Sequence, residues 1–320
     1  MHSSSILDLL ATNILSPMVL AFVLGVTAAF VRSDLKFPEP IYAILSVYLL
    51  LAIGIKGGVT LSQTPLSAIG GPLLATLALS GLLPLIAFGV LRLLDYSKVD
   101  SAALAAHYGS VSVITFIASQ IFVESTGYSS ERYMTALLAL LEVPAIIIAL
   151  LLSRTNYVLP LTKEIKKILS SKSILLLIGG IVMGFLSGER GLEKIAPLFV
   201  SPFEGMLVLF LLEMGLVAGH KLLESRHIPV SLVIAGIILP IINGCIGVYL
   251  AKICGMSVGS ATVFATLAAS ASYIAAPAAV RMALPQANPG YYLTASLAIT
   301  FPFNLSLGIP LYHKIALKLI

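Results

Sequence analysis

Two matched quartets hold the residues best suited to chemistry in this chain. Gly109-Ser110-Val111-Ser112 returns as Ala269-Ser270-Ala271-Ser272, at an offset of 160. Each quartet places two hydroxyls and small side chains in the middle of an apolar run, where a helix is expected to break. In hydrocarbon a backbone N–H or C=O without a partner costs several kcal/mol, so a broken helix survives only beside protein or a cavity. If both helices break, the amides that start the two half-helices converge near the bilayer midplane. Helix N-termini carry about half a positive charge and free N–H donors, a combination that suits an anion. The hydroxyls of Ser110, Ser112, Ser270 and Ser272 add hydrogen bonds, or oxygen ligands for a cation. Small residues and serines also line ordinary contacts between membrane helices. The matched placement in both halves favours a site.

Carboxylates and neutral oxygens offer a cation site nearby. Glu142 and Glu213 lie within apolar runs, and intramembrane carboxylates are functional candidates because they are costly there. Glu142 precedes Pro144, whose missing N–H frees a carbonyl one turn earlier. A carboxylate beside freed carbonyls suits Na⁺; a protonated or paired carboxyl inside the bundle is the alternative. Thr300 and Asn304 are neutral oxygen donors in the corresponding region of the second half, and Thr115 follows the first quartet. Glu213 has Ala52 at its place in the first half and ranks below Glu142. Lys56 reads as an interfacial side chain that reaches to the headgroups. His107, one turn before Ser110, reads as a satisfied core histidine, with tuning of a proton or an anion as the alternative, and Arg281 reads as a topology anchor. No HExxH, CxxC, GxSxG or Walker A sequence occurs, so an enzyme is not expected and active transport must use an ion gradient.

These residues must be positioned by membrane helices. Hydrophobic residues make up 58% of the 320-residue chain and charged residues 10%, with mean hydropathy +1.04. A soluble globule carries about 25% charged residues, so that class is excluded. Ten spans of about 20 residues are expected, at 15–31, 40–60, 68–92, 101–123, 133–153, 173–187, 203–220, 230–251, 260–280 and 291–312. The fourth and ninth contain the quartets. Leu50 to Gly58 answers Leu211 to Gly219, Tyr133-Met134-Thr135-Ala136 answers Tyr292-Leu293-Thr294-Ala295, and Glu142-Val143-Pro144 answers Thr300-Phe301-Pro302, at offsets of 161, 159 and 158. The expectation is an all-α integral membrane protein built from repeat one (1–153), a short basic linker (154–172) and repeat two (173–320). Five spans per repeat is odd, so the second copy enters from the opposite side and the repeats are inverted.

Lysine and arginine set the orientation. With the linker (Arg154, Lys163, Lys166, Lys167, Lys172) in the cytoplasm, twelve basic residues lie inside and seven outside, and both termini lie outside. The linker is either a solvated connection or a regulatory docking site. The pI near 9.1 follows this topology and does not point to nucleic acid. Cys245 and Cys254, nine residues apart in one helix at about 1.5 Å per residue, are out of disulfide reach. No cleavable signal peptide is evident, and the first span is expected to be retained.

At these same residues the chain resembles the sodium-dependent bicarbonate transporter family of the cyanobacterial carbon-concentrating system. The matching pieces are Ile53-Gly54-Ile55-Lys56-Gly57-Gly58, Gly109-Ser110-Val111-Ser112 and Glu142-Val143-Pro144-Ala145. A further piece is Leu284-Pro285-Gln286-Ala287-Asn288-Pro289, leading into Tyr292; the resemblance runs in order from Pro38 to Pro310. It implies a core domain and a gate domain, an elevator-like motion, a homotrimer in the bacterial inner membrane, and bicarbonate uptake with Na⁺ as coupling ion and no bound cofactor. It also implies a PII-like cytoplasmic regulator. Members carry serines ending in Asp where this chain reads Ser270-Ala271-Ser272-Tyr273, and their loop between the halves is longer. Anion entry into a cell that is negative inside runs uphill by about 2.3 kcal/mol per charge per 100 mV, which one co-transported Na⁺ cancels. A symporter of another small anion such as a monocarboxylate, a cation/proton antiporter, and a ligand-binding receptor are the alternatives.

Overall fold

The computed structural model describes residues 13–131, 133–153, 166, 170, 172–224, 228–273 and 275–320, without the side chains of 66, 142, 143, 146, 150, 173, 174, 275, 278 and 282. Every regular element among them is helical. Of the 154–172 linker only Lys166, Ser170 and Lys172 are described, so the expectations placed on that linker lie outside the described residues. In chain order the helices are α1 (Pro17–Phe30), α2 (Glu39–Ser62), α3 (Leu66–Leu93), α4 (Lys98–Gly109), α5 (Val113–Ser125) and α6 (Met134–Leu152). They continue as α7 (Lys172–Phe199), α8 (Phe203–Glu224), α9 (Val230–Ile253), α10 (Val258–Ala269), α11 (Ala275–Ala283) and α12 (Pro289–Leu319). Among the described residues seven helices are long and apolar enough to cross a membrane: α2, α3, α4 continued by α5, α7, α8, α9 and α12. The apolar helices α1 and α10 are shorter.

The same local chemistry starts and stops helices in both halves. Pro65 and Pro229 sit just before α3 and α9, where a missing N–H costs nothing. Two residues past the end of each, the chain turns through the left-handed region, at Asp95 (φ 62°) and Gly255 (φ 67°). Serines then cap the next helices: Ser97 Oγ accepts from Asp100 N–H at 3.0 Å, and Ser257 Oγ from Ser260 N–H at 3.3 Å. Gly188, at φ 59°, kinks α7 between its apolar first part and a stretch exposing Glu189, Arg190, Glu193 and Lys194. The kink falls where the charges begin, and the helix then runs on to Phe199.

Two groups of helices pack side by side. In one, α2 lies along α7 and α1 along α8. Both seams are built from small residues, which let backbones touch in a solvent that gives apolar helices no other reason to associate. A Cβ on Gly54 would lie 2.6 Å from the Leu177 carbonyl, and Cβ atoms on Gly58 and Gly184 would strike the Ile181 and Ile55 carbonyls. Gly25 and Gly215 meet in the same way between α1 and α8. The second group holds α3, α4 and α6 against one another and α9, α10 and α12 against one another, with α5 packed on α10. The helix α12 spans 31 residues and widens into π-helical turns at Thr294–Thr300 and Asn304–Gly308. Pro302 and Pro310 deprive Ala298 and Ser306 of their usual donors, and the Ser306 carbonyl instead accepts from Asn13 Nδ2 at 3.1 Å.

Candidate functional site

Both quartets interrupt their helices. α4 ends at Gly109, and Ser110 (φ −91°, ψ 175°) and Ser112 (φ −103°, ψ 112°) are extended before α5 begins at Val113. α10 ends at Ala269, Ser270 is extended (φ −79°, ψ 161°), and α11 begins at Ala275. Gly109 is required by contact: a Cβ there would lie 2.9 Å from the ring of Pro84 on α3. The second quartet has room for alanine at the same place.

The two breaks cross each other. Ser112 N–H donates to Ser270 Oγ at 3.0 Å, and Ser272 N–H donates to the His107 carbonyl at 2.8 Å. Ser112 and Ser272 also cap the helices that follow. Ser112 Oγ accepts from Thr115 N–H at 3.2 Å and Thr115 Oγ1 at 2.8 Å; Ser272 Oγ accepts from Ala276 N–H at 3.2 Å. Ser270 Oγ donates to the Leu267 carbonyl at 2.9 Å. Ser112 Oγ is the acceptor in both of its bonds. Ser110 Oγ has no partner, and the residue is 1% exposed. Val111 and Ala271 fill the space beside the serines and are buried.

The surroundings are buried throughout: Ser101 to Gly109 of α4 and Gly259 to Ala269 of α10 face only protein. Four half-helix ends meet here. The starts of α5 and α11 contribute N–H groups with no carbonyl a turn behind them, and the ends of α4 and α10 contribute carbonyls with no donor a turn ahead. The crossing thus offers positive partial charge and hydroxyl donors on one side and negative partial charge on the other. That is a fit for an anion beside a cation.

The expected cation residues are divided. Thr115 belongs to the first break, through Ser112. Asn304 belongs to the second: its Nδ2 donates to the Ala269 carbonyl at 2.9 Å and its Oδ1 accepts from Tyr312 Oη at 2.9 Å. Thr300 lies on the flank of α4. It donates its single proton to the Gly236 carbonyl at 2.6 Å and so accepts from Tyr108 Oη at 2.7 Å. Gly236 needs that donor because Pro240, four residues on, has no N–H to give. Glu142 sits on α6, and its side chain is outside the described residues. Glu213 keeps a buried Oε2 without a partner. Lys56 Nζ stands 4.8 Å from the Phe203 ring centroid, and Arg281 is exposed. No group of three or more His, Cys, Asp or Glu side chains gathers among the described residues.

Three site residues, Tyr108, Tyr312 and Asn243, and the backbone role of His107 escaped the sequence reading. His107 acts through its backbone; its ring stacks on Tyr292 at 4.6 Å and its Nδ1 donates to the Ala103 carbonyl at 2.7 Å. Tyr108 and Tyr312 hold Thr300 and Asn304. Asn243 is fully buried on α9 with neither amide atom bonded. A lone asparagine inside an apolar span was itself the signal for that one. A cleft of about 290 Å³ opens where α8 ends and α9 and α12 begin, lined by Lys221, Glu224, Asn288 and Tyr291 among others. None of the crossing residues lines it.

A comparison with curated proteins finds no match. The profile of one family does match, from residue 17 to residue 317, and so takes in both breaks and nearly every helix. The chain belongs to the Na⁺-dependent bicarbonate transporter superfamily.

Proposed function

We propose that this chain is a secondary active transporter that imports bicarbonate with Na⁺. The observation that carries the reading is the crossing itself: two interrupted helices, joined by Ser112 N–H to Ser270 Oγ and Ser272 N–H to the His107 carbonyl, with the Ser110 hydroxyl unpartnered beside that of Ser112. Bicarbonate binds where the half-helix N-termini and those hydroxyls gather. Na⁺ binds beside it, at carbonyls that end half-helices and at neutral side-chain oxygens, with Thr300 and Asn304 nearest by sequence and contact. Placing the ion next to the anion lowers the cost of burying either one.

The architecture we propose is two inverted five-span repeats, α1 to α6 and α7 to α12, with each broken helix counted as one span. Three details support it. The prolines, left-handed turns and serine caps around α3 and α9 correspond. The seams exchange partners as a duplication demands: α2 meets α7 while its counterpart α8 meets α1. Glu131 N–H donates to Ser260 Oγ near the start of α10, and Asn288 N–H donates to Asp100 Oδ1 near the start of α4. In this scheme the glycine seams form the gate, and the group holding the crossing forms a core that moves past it as an elevator. A homotrimer joined through the gate, with both termini outside the inner membrane and a PII-like regulator at the linker, completes the proposal.

The test is uptake of radiolabelled bicarbonate into vesicles containing the purified protein, under an inward Na⁺ gradient and then an inward K⁺ gradient. Accumulation with Na⁺ alone is the expected outcome. Equal uptake in both, or Na⁺ movement against pH without bicarbonate, overturns it.

A further inference from the structure

The least explained polar group in the molecule is the amide of Asn243. The residue is 0% exposed, and neither Oδ1 nor Nδ2 has a partner. Each orphaned atom of a buried polar group loses its bond to water and gains nothing in return, which costs stability. The fold does not ask for it: at the corresponding place on α3, 160 residues earlier, stands Leu83, equally buried. A group that costs stability and serves no contact in the chain itself calls for a partner from outside it.

Its place on α9 says what that partner is. Gly236, Pro240, Asn243 and Gly247 follow one face of the helix at spacings of four, three and four. Gly236 packs on Ile299 and Thr300 of α12, and Gly247 packs on Ala265 and Ala268 of α10. The neighbouring Gly244 lies against the ring of Tyr312. Asn243 is therefore bracketed by the end of α10 and the middle of α12, where Asn304 reaches across to the Ala269 carbonyl. The last carbonyls of α10 lack intrahelical donors and form the negative end of that half-helix. Half-helix C-terminal carbonyls joined by side-chain oxygens are how interrupted membrane helices coordinate Na⁺.

We propose that Asn243 is a ligand of the co-transported Na⁺, with Asn304 and the carbonyls that end α10 as its companions. Oδ1 faces the ion, and Nδ2 donates to a water carried with it. This rests on the Na⁺-coupled reading above, and the second repeat then holds an ion site that the first, with Leu83, lacks.

The experiment compares full-length wild type with Asn243→Leu, which installs the residue of the first repeat, and with Asn243→Ala as a second variant. The first measurement is the thermal midpoint in detergent with NaCl against choline chloride, without bicarbonate. The second is bicarbonate uptake as a function of Na⁺ concentration. Wild type should be stabilised by Na⁺. Asn243→Leu should fold at least as well in choline yet lose the Na⁺-dependent rise, and Asn243→Ala should lose it too. Half-saturating Na⁺ should increase about tenfold or more, as expected for a lost direct contact, with the bicarbonate KM at saturating Na⁺ unchanged. A wild type without a Na⁺-dependent rise, or variants that keep it, overturns the assignment. A rise that is lost in the variants, in a protein that carries no bicarbonate, upholds the ion site and overturns the transport reading alone.

Discussion

The glycine seams and the crossing are both places where the first and second halves of the chain meet, yet they are closed by different physics. Along α2–α7 and α1–α8 the backbones touch directly, at Gly54, Gly58, Gly180 and Gly184 and at Gly25 and Gly215. Contact there depends on shape alone. The two seams match in their small residues. At the crossing, closure comes from a few hydrogen bonds, and the two breaks differ. Ser112 N–H finds a side chain, Ser270 Oγ, whereas Ser272 N–H finds a backbone carbonyl, that of His107. Ser270 Oγ is bonded twice and Ser110 Oγ not at all. A seam that must only hold can stay symmetric. The crossing, where the proposed anion and cation sites lie side by side, is asymmetric.

The largest effect is expected at the seams. Gly58→Leu or Gly184→Leu drives a side chain into a backbone carbonyl. Overpacking ordinarily costs about 1–3 kcal/mol, and with backbone as the obstacle these variants should exceed that range and yield no monodisperse protein by size-exclusion chromatography. Gly179→Leu, where a Cβ meets nothing within 4 Å, is the control and should behave as wild type. Normal yield from Gly58→Leu would mean that the seam yields and is not the rigid half.

At the crossing the expected effects separate stability from transport. Ser270→Ala leaves the Ser112 N–H buried without its acceptor, which should cost about 1–3 kcal/mol and lower the unfolding midpoint. Ser110→Ala removes a hydroxyl with no partner, so stability should hold or rise while bicarbonate uptake falls. Unchanged uptake in Ser110→Ala would remove that hydroxyl from the substrate site.

This contrast also marks what the sequence could carry. Apolar runs, the offset of the quartets and the break residues were legible because they are local, or repeat at a fixed interval. The expected end of the sixth span, at 187, falls at the Gly188 kink, although the helix runs on to Phe199. What Thr300 and Asn304 bond to was not, since Gly236, Tyr108, Ala269 and Tyr312 reach them only through packing of distant segments. The Thr300 hydroxyl donates to the Gly236 carbonyl, which Pro240 strands, and accepts from Tyr108 Oη, and neither partner is visible in its sequence neighbourhood. Asn243 could have been singled out as a polar residue in an apolar span. That neither amide atom is bonded could not. The π-helical turns of α12 follow from two prolines, but where they open depends on what the freed carbonyls find.

The pairing of Thr300 with a carbonyl stranded by Pro240 gives a smaller, quantitative test. Thr300→Val should destabilise the wild type, because the Gly236 carbonyl loses its donor. In a Pro240→Ala background the helix supplies its own N–H, and the same substitution should cost less. The expected coupling is about 1 kcal/mol, within the range for residues sharing one hydrogen-bond network, read by a double-mutant cycle of unfolding in denaturant. Additive costs would show that Thr300 is held chiefly by Tyr108.

The smallest expected effect compares the two serine caps. Ser97→Ala and Ser257→Ala should each cost about 1 kcal/mol or less, read from thermal midpoints. They should not be equal. Ser97 Oγ both accepts from Asp100 N–H and donates to Asp100 Oδ2 at 2.7 Å, and the other oxygen of that carboxylate accepts from Asn288 N–H. Removing the Ser97 hydroxyl therefore loosens a carboxylate that ties the start of α4 to the entry of α12. On the other side, Glu131 accepts from Ser257 N–H at 3.0 Å and donates its own N–H to Ser260 Oγ, and both bonds survive Ser257→Ala. Ser97→Ala should accordingly be the costlier by a few tenths of a kcal/mol. Equal costs would mean that the link from Asp100 to Asn288 adds nothing to the cap, and that the two copies still behave alike everywhere outside the crossing.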